Sequence, residues 1–396
     1  DNVTYYYGTS SDNITTQGSS ISVSSGGTYY VKACTSNNIC TDTVSYASVY
    51  DLYGMIESQA DTTTTINFSV NTATDTTSAN NGIFATNRTN SGNTVYYYRG
   101  AVDNNVIFAN LCWKIIRTTE TGGIKLIYNG TLSNGECNNT GADSLYTTSA
   151  YNTNYNDNTY VGYMYGTAGS STYSATHTNN PNNSSTIKGI VDDFWEAKLT
   201  SYASQIEDAI YCNDRNIVAY DANNIGSTSY SSYGTLGYGT NATLYGAANR
   251  TWYYTKTPNP TLVCNNTQGS VNSNNDSFTV SSSNGNGMLT YPIGLITLDE
   301  VVFAGYNTYS SNTSAYKVSA TTNYLHTGNW YWTMSPVYMY SNGGAYVGTV
   351  NGPGIVNSSN VYSAGGGVRP VVSLTHGTLI TSGNGTTATP YVVQSN

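Results

Sequence analysis

The run "GNWYWTMSPVYMYSNGGAYVGTV", Gly328 to Val350, holds two tryptophans and four tyrosines without one charged residue. Such side chains stack on rings and cover neutral surfaces while keeping a polar tip. They do not move protons by themselves. From Val301 to Asn396 there is no Asp or Glu, and only Lys317 and Arg369 are charged. A carboxylate pair for acid–base or glycosidase chemistry therefore cannot come from this part of the chain.

The remaining candidates for chemistry are few. His177, His326 and His376 show no HExxH or other short metal-ligand spacing, and no Gly-x-Ser-x-Gly elbow accompanies them. Gly365–Gly367 lacks the Gly-Lys-Ser/Thr that completes a phosphate loop. Arg369, in "GGGVRPVV", reads as a structural arginine whose fork reaches backbone carbonyls. Asp192 and Glu196 stand at i, i+4 on a helical pattern, which reads as a solvated face with Lys188 pairing Asp192. "DANNIGSTS" from Asp221 has Asn223 and Gly226 where a calcium loop needs them, but Ser232 takes the place of the bidentate glutamate. These observations predict no catalytic residue, no metal and no cofactor. The expectation is a protein that is not an enzyme.

The frame around these residues is neutral. Charged residues make up 9% of the 396, with a net charge of −9. The mean hydropathy is −0.35, and no apolar run approaches the roughly 20 residues of a spanning helix. Ser, Thr, Asn, Gly and 39 tyrosines replace the missing charge. Disordered chains are poor in aromatic and β-branched residues, so this composition predicts a folded, strand-rich chain. An acidic chain with scattered Lys and Arg excludes nucleic acid as a partner. The sequons, such as Asn13 and Asn249, occur about as often as chance places them and argue nothing.

Six cysteines without CxxC spacing fall into consecutive pairs. The expected bridges are Cys34–Cys40, Cys112–Cys137 and Cys212–Cys264, which imply an oxidising compartment. Asp1 follows neither a start Met nor a signal peptide, so the chain reads as processed or trimmed.

Along the chain, residues 1–50 read as hairpins, with alternation at Ile21/Val23, a Gly26-Gly27 turn and strands at Thr28–Ala33 and Thr41–Val49. Residues 51–94 read as a polar connector with one strand at Ile66–Val70. Three strands follow Val95, then an irregular, surface-hugging stretch to Asn183. The long helical pattern spans 185–215, as one amphipathic helix or two in sequence. Thr297 and Glu300 predict a capping box opening a short helix. Strands are expected again near Trp330–Met334, Ala345–Val350, Val368–Leu374, Thr378–Thr381 and Pro390–Val393.

The hairpin "GTYYVKAC" resembles the C-terminal half of bacterial immunoglobulin-like repeats. Some 50 residues make half of such a sandwich. The ordered motifs "YYYRGAVDNNVIFANLCWKIIRTTETGGIKLIYNG", "FWEAKLTSYASQIEDAIYCNDR", "YPIGLITLDEVVFAG" and "NWYWTMSP…GGGVRPVVSL" resemble a family of bacterial secreted surface modules. Through Trp332, Ser335, Gly367, Arg369 and Pro370 they resemble the C-type-lectin-like fold and its formylglycine-generating branch. The calcium motifs of such lectins and the terminal cysteine pair of that branch do not occur here.

The resemblance implies a mainly β (α+β) architecture: an incomplete Ig-like segment (1–50), a connector (51–94), a C-type-lectin-like module (95–378) and a terminal strand (379–396) able to pair with a neighbouring subunit. It implies an extracellular or bacterial cell-surface location. The expected function is a structural subunit of a surface fibre or stalk, assembling head-to-tail with copies of itself through terminal strands. The alternative is a calcium-independent adhesin binding glycans through Trp330, Tyr331, Trp332, Tyr338, Tyr340 and Tyr346.

Overall fold

The computed structural model describes residues 3–18, 26–41, 45–218, 236–251, 258–307, 317–341 and 343–394. The alternation at Ile21/Val23 and the loop from Asp221 lie outside the described residues. The chain is mainly β, with short helices. Strands β1 (Val3–Gly8), β2 (Thr16–Gln17), β3 (Gly27–Thr35) and β4 (Ser45–Asp51) make an antiparallel layer in the order β2-β1-β3-β4. Most of its described residues are half-buried or exposed.

The segment expected to be a connector is built into the fold. Asp51 caps the helix Leu52–Gln59, its carboxylate accepting from Tyr53 N and Gly54 N, and Leu52 and Ile56 are buried. No strand forms at Ile66–Val70. Asn67 Oδ1 accepts from Ser69 N at 3.0 Å and makes a turn there, the asparagine side chain competing with a ladder for the backbone. The strand of this region is instead β5 (Gly82–Thr86), which pairs with β6 (Val95–Arg99).

The central hairpin comes next. β7 (Asn105–Phe108), β8 (Leu111–Thr118) and β9 (Ile124–Thr131) follow one another antiparallel. Gly122, at φ +84°, makes the β8–β9 turn that a side chain would strain. All of β9 except Thr131 is buried, as in a strand covered on both faces. The helix Thr186–Lys198, capped by Ser185, covers one face: the Phe194 ring lies 6.0 Å from Trp113 and 5.2 Å from Tyr128. The stretch from 129 to 183 is largely irregular but not confined to the surface, since Tyr151, Val161 and Tyr163 are fully buried.

The remaining strands are β10 (Thr147–Ser149), β11 (Tyr211–Cys212), β12 (Thr243–Leu244), β13 (Ser277–Phe278), β14 (Tyr331–Tyr340), β15 (Gly344–Val350), β16 (Val356–Asn360), β17 (Gly366–Val368), β18 (Val371–Leu374), β19 (Leu379–Ser382) and β20 (Tyr391–Val393). One large sheet runs β18-β9-β8-β7-β20-β19-β4-β3-β1-β2, with β6 beside β8. A second runs β10-β17-β14-β15-β16, with β12 on β14.

The terminal strands therefore have partners in their own chain. β19 lies antiparallel to β4, with Leu379 opposite Asp51, and β20 lies parallel to β7, with Tyr391 opposite Val106. They join the N-terminal layer to the central hairpin. Residues 379–396 are expected from sequence to pair with a neighbouring subunit; in the single chain β19 and β20 pair with β4 and β7. Pairing within the chain costs only loop closure, whereas pairing between chains also costs the freedom of a whole molecule. Three disulfides, Cys34–Cys40, Cys112–Cys137 and Cys212–Cys264, join each cysteine to the next.

Candidate functional site: a tyrosine face and a charged cleft

The six aromatic residues read as one face are divided between two. Trp332 stands opposite Thr349, and Tyr338 opposite Tyr346. Thr349 and Tyr346 lie an odd number of residues apart on β15, so their side chains leave opposite faces of the sheet. Trp332 and Tyr338 must do the same. The cause is a pair of register shifts flanking Pro336, which has no N–H to give to a ladder. Sequence alternation alone puts Trp330, Trp332, Tyr338 and Tyr340 on one side; the bulge undoes it.

Tyr331 and Trp332 are core residues, both fully buried. Trp332 Nε1 donates to Ser149 O at 2.8 Å, and Tyr331 Oη to Leu325 O at 3.1 Å. Trp330 is partly buried, its ring 5.2 Å from Trp332. Arg369 lies 4.8 Å from the centre of the Tyr331 ring and donates to Tyr128 O, Leu325 O and Asn129 Oδ1. Its guanidinium is spent on structure.

Tyr338, Tyr340 and Tyr346 do gather, with ring centroids 4.4, 4.7 and 5.3 Å apart. Tyr338 Oη and Ser358 Oγ lie 2.9 Å apart, tying the cluster to β16. Beside it the structure brings up two residues the sequence reading missed. Tyr155 and Tyr362 are 44% and 53% exposed, and their rings pack at 4.7 Å. Tyr155 reaches the cluster because Gly344, opposite Tyr340 at φ +96°, leaves the space: a Cβ there would lie 2.7 Å from the Tyr155 ring. No local signal singles out these two among 39 tyrosines.

A second feature is a cleft of about 480 Å³ between the β8–β9 hairpin and the helix Leu298–Phe303. In a chain with 9% charged residues, three cations and five carboxylates line it. Arg117 and Lys125 are register partners across β8 and β9, two like charges side by side, which is destabilising unless a counter-charge intervenes. Glu300 supplies it. Its Oε1 accepts from Arg117 Nε at 2.9 Å and from Lys125 Nζ at 2.6 Å. Its Oε2 accepts from Thr297 N at 3.0 Å, completing the capping box with Thr297 Oγ1. Burial alone would raise the Glu300 carboxyl, but the charges of Lys125 and Arg117 override it and hold the group at about 2. Burial and the Arg117 charge outweigh Glu300 at Lys125, whose ammonium falls to about 8. Thr297→Ala is expected to cost about 1 kcal/mol of stability, the usual loss of a helix N-cap, as read by urea denaturation.

Arg250 forms the opposite pole. Its Nη2 meets Asp214 Oδ2 at 2.7 Å and Asp299 Oδ2 at 2.9 Å, and its Nε meets Asp299 Oδ1 at 3.0 Å. Asp208 accepts from Val280 N and Ser281 N, both at 2.7 Å, and Glu120 accepts from Asn90 N and Ser91 N. The Glu300 capping box was legible in sequence, but its two cationic partners were not.

The other sequence candidates stay apart. Lys188 Nζ pairs with Asp192 Oδ2 at 2.6 Å. His177 is buried against Tyr245, while His326 and His376 approach Gly352 O and Gly122 O. Among the described residues no group of three or more His, Cys, Asp or Glu is placed to hold a metal. No described helix is long and apolar enough to cross a membrane. No protein-family model, curated protein or solved structure matches the chain.

Proposed function

We propose that this chain is a non-enzymatic binding module of an extracellular, bacterial cell-surface protein, holding neutral glycans on its tyrosine face without calcium. The observation that carries the reading is the exposed Tyr155–Tyr362 pair beside the Tyr338/Tyr340/Tyr346 cluster. The C–H-rich face of a pyranose ring stacks on such rings, and the phenolic tips of Tyr155 and Tyr362 offer polar contacts to sugar hydroxyls. Near-absence of charge on this part of the chain suits an uncharged ligand. Three disulfides are compatible with an oxidising location.

A glycan array probed with the purified chain is the test, followed by titration of the best-bound sugar. The Tyr155→Ala, Tyr362→Ala double variant is expected to bind roughly tenfold more weakly, since an aromatic contact contributes about 1 kcal/mol beyond its area. Its circular dichroism should stay unchanged, because both rings are half in solvent. An empty array, or equal affinity in the variant, overturns the reading.

A structural role in a head-to-tail fibre is the second reading, carried by a different observation. The N-terminal layer leaves Val3, Tyr5 and Tyr50 at 52%, 46% and 55% exposed. Copies would meet along this layer, not through β19 and β20, which are already paired. Sedimentation at tens of micromolar that shows only monomer removes it.

A further inference from the structure

The charged cleft is separate from the tyrosine face, and its chemistry is different. Its cationic edge is under-used. Arg117 donates Nε to Glu300 and Nη1 to Thr118 O, and among the described residues Nη2 has no acceptor. Lys125 Nζ, with a side chain only 1% exposed, donates to Glu300 alone and otherwise lies 5.2 Å from the centre of the Tyr211 ring. Nearly buried cationic donors ordinarily find acceptors. Here several N–H groups have none among the described residues, and they line a cavity.

Charge counting says what would complete them. Arg117 and Lys125 against Glu300 leave one positive charge on this edge. Arg250 against Asp214 and Asp299 leaves one negative charge on the other, and Asp208 and Glu120 add two more. A monocarboxylate neutralises the first edge, whereas a phosphate dianion overshoots it beside an acidic wall. A plain carboxylate leaves the acidic wall without a cation. A ligand carrying both charges answers both edges. Ile210, Leu262 and Val263 line the same cleft and offer an apolar contact.

We propose that this cleft binds a small zwitterionic amino acid with an aliphatic side chain. Its carboxylate meets Arg117 Nη2 and Lys125 Nζ, and its ammonium faces the acidic wall formed by Asp299, Asp208 and Glu120. Binding brings a negative charge to Lys125, so its ammonium is favoured and protons are taken up at pH 8.

The test is isothermal titration of the full chain at pH 7 and low salt with alanine, valine, leucine and isoleucine. Each is paired with its deaminated acid and its decarboxylated amine. The expected result is saturable binding of at least one amino acid, with its acid and its amine each at least about tenfold weaker, the loss expected when a charge-assisted bond is removed. Lys125→Met is expected to abolish binding. Because that change also breaks a buried pair, Glu120→Gln is measured beside it, being at the rim and outside the Arg117–Lys125–Glu300 pairing. It should weaken the amino acid several-fold and leave the deaminated acid unaffected. No binding by any of the four amino acids overturns the proposal. So does an acid that binds as tightly as its amino acid, or full affinity in a folded Lys125→Met protein.

Discussion

Glu300→Gln is expected to lower the free energy of unfolding by about 3–5 kcal/mol, the usual cost of leaving buried charge without its partner. The side chains of Glu300 and Lys125 are each 1% exposed, and that of Arg117 is 12% exposed. Glutamine keeps the shape but has one acceptor oxygen where Glu300 uses two, so the loss combines the charge with one acceptor. What is lost is the carboxylate that stands between two cations placed side by side by the β8–β9 register.

The pH dependence follows with a definite sign. The Glu300 carboxyl is held at about 2 in the fold against 4.5 ordinarily. Between those values the unfolded chain binds a proton that the folded chain does not. The contribution of Glu300 is therefore present above about 4.5 and is lost as the pH falls towards 2. Urea denaturation of both proteins from pH 7 to pH 2.5 reads this. The wild-type advantage over Glu300→Gln should shrink as the pH falls. A gap below about 1 kcal/mol at pH 7, or one constant with pH, would contradict the account.

Arg215→Met is expected to cost a similar amount, about 3–5 kcal/mol, for a related reason. Arg215 and Asp276 have fully buried side chains. Arg215 Nε donates to Asp276 Oδ1 at 2.8 Å, Nη1 to Met164 O, and Nη2 to Asn179 Oδ1 and Asn275 O. One guanidinium thus holds three irregular stretches together, where no ladder exists to satisfy the backbone. Burial already raises the Asp276 carboxyl despite the arginine. Without Arg215 that carboxylate must take up a proton or stay charged in the core. Adding Asp276→Asn to Arg215→Met should then recover part of the loss, because the second change removes the stranded charge. A double variant no more stable than the single one would mean that the lost bonds to the carbonyls, and not the charge, decide the cost.

These two clusters show how far the sequence could be followed. The capping box at Thr297 and Glu300 is local, spanning one helical turn, and both side chains hydrogen-bond within it. It was legible for that reason. The pairing of Glu300 with Lys125 joins residues 175 positions apart. Its trace in the sequence is a lysine set in the apolar run "GIKLIY" of a chain otherwise almost without charge. That lysine announces a buried counter-charge without saying which. The helix from Thr186 was likewise legible through its three- and four-residue apolar spacing. Its continuation was not: Thr200–Gln205 is a 3₁₀ turn, after Leu199 ends the α-helix at φ −120°. Thr200 turns its hydroxyl back to Glu196 O.

The amino-acid sequence by itself determined the mainly β class, through its Tyr and Thr content and its hairpin turns. It placed strands near Trp330–Met334, Ala345–Val350, Val368–Leu374, Thr378–Thr381 and Pro390–Val393, though not β16. It paired consecutive cysteines, because nearest neighbours close the shortest loops. Tertiary structure alone decided which side chains share a face. Alternation predicts faces only while the register holds, and the bulges beside Pro336 sent Trp332 into the core and Tyr338 to the other side. It also decided that β19 and β20 close on β4 and β7, since strand pairing is specified by contacts distant in the chain and not by the pattern of the strand itself. And it gathered Tyr155 with Tyr362, and Arg117 with Glu300, because groups of this kind meet only when the layers that carry them have packed.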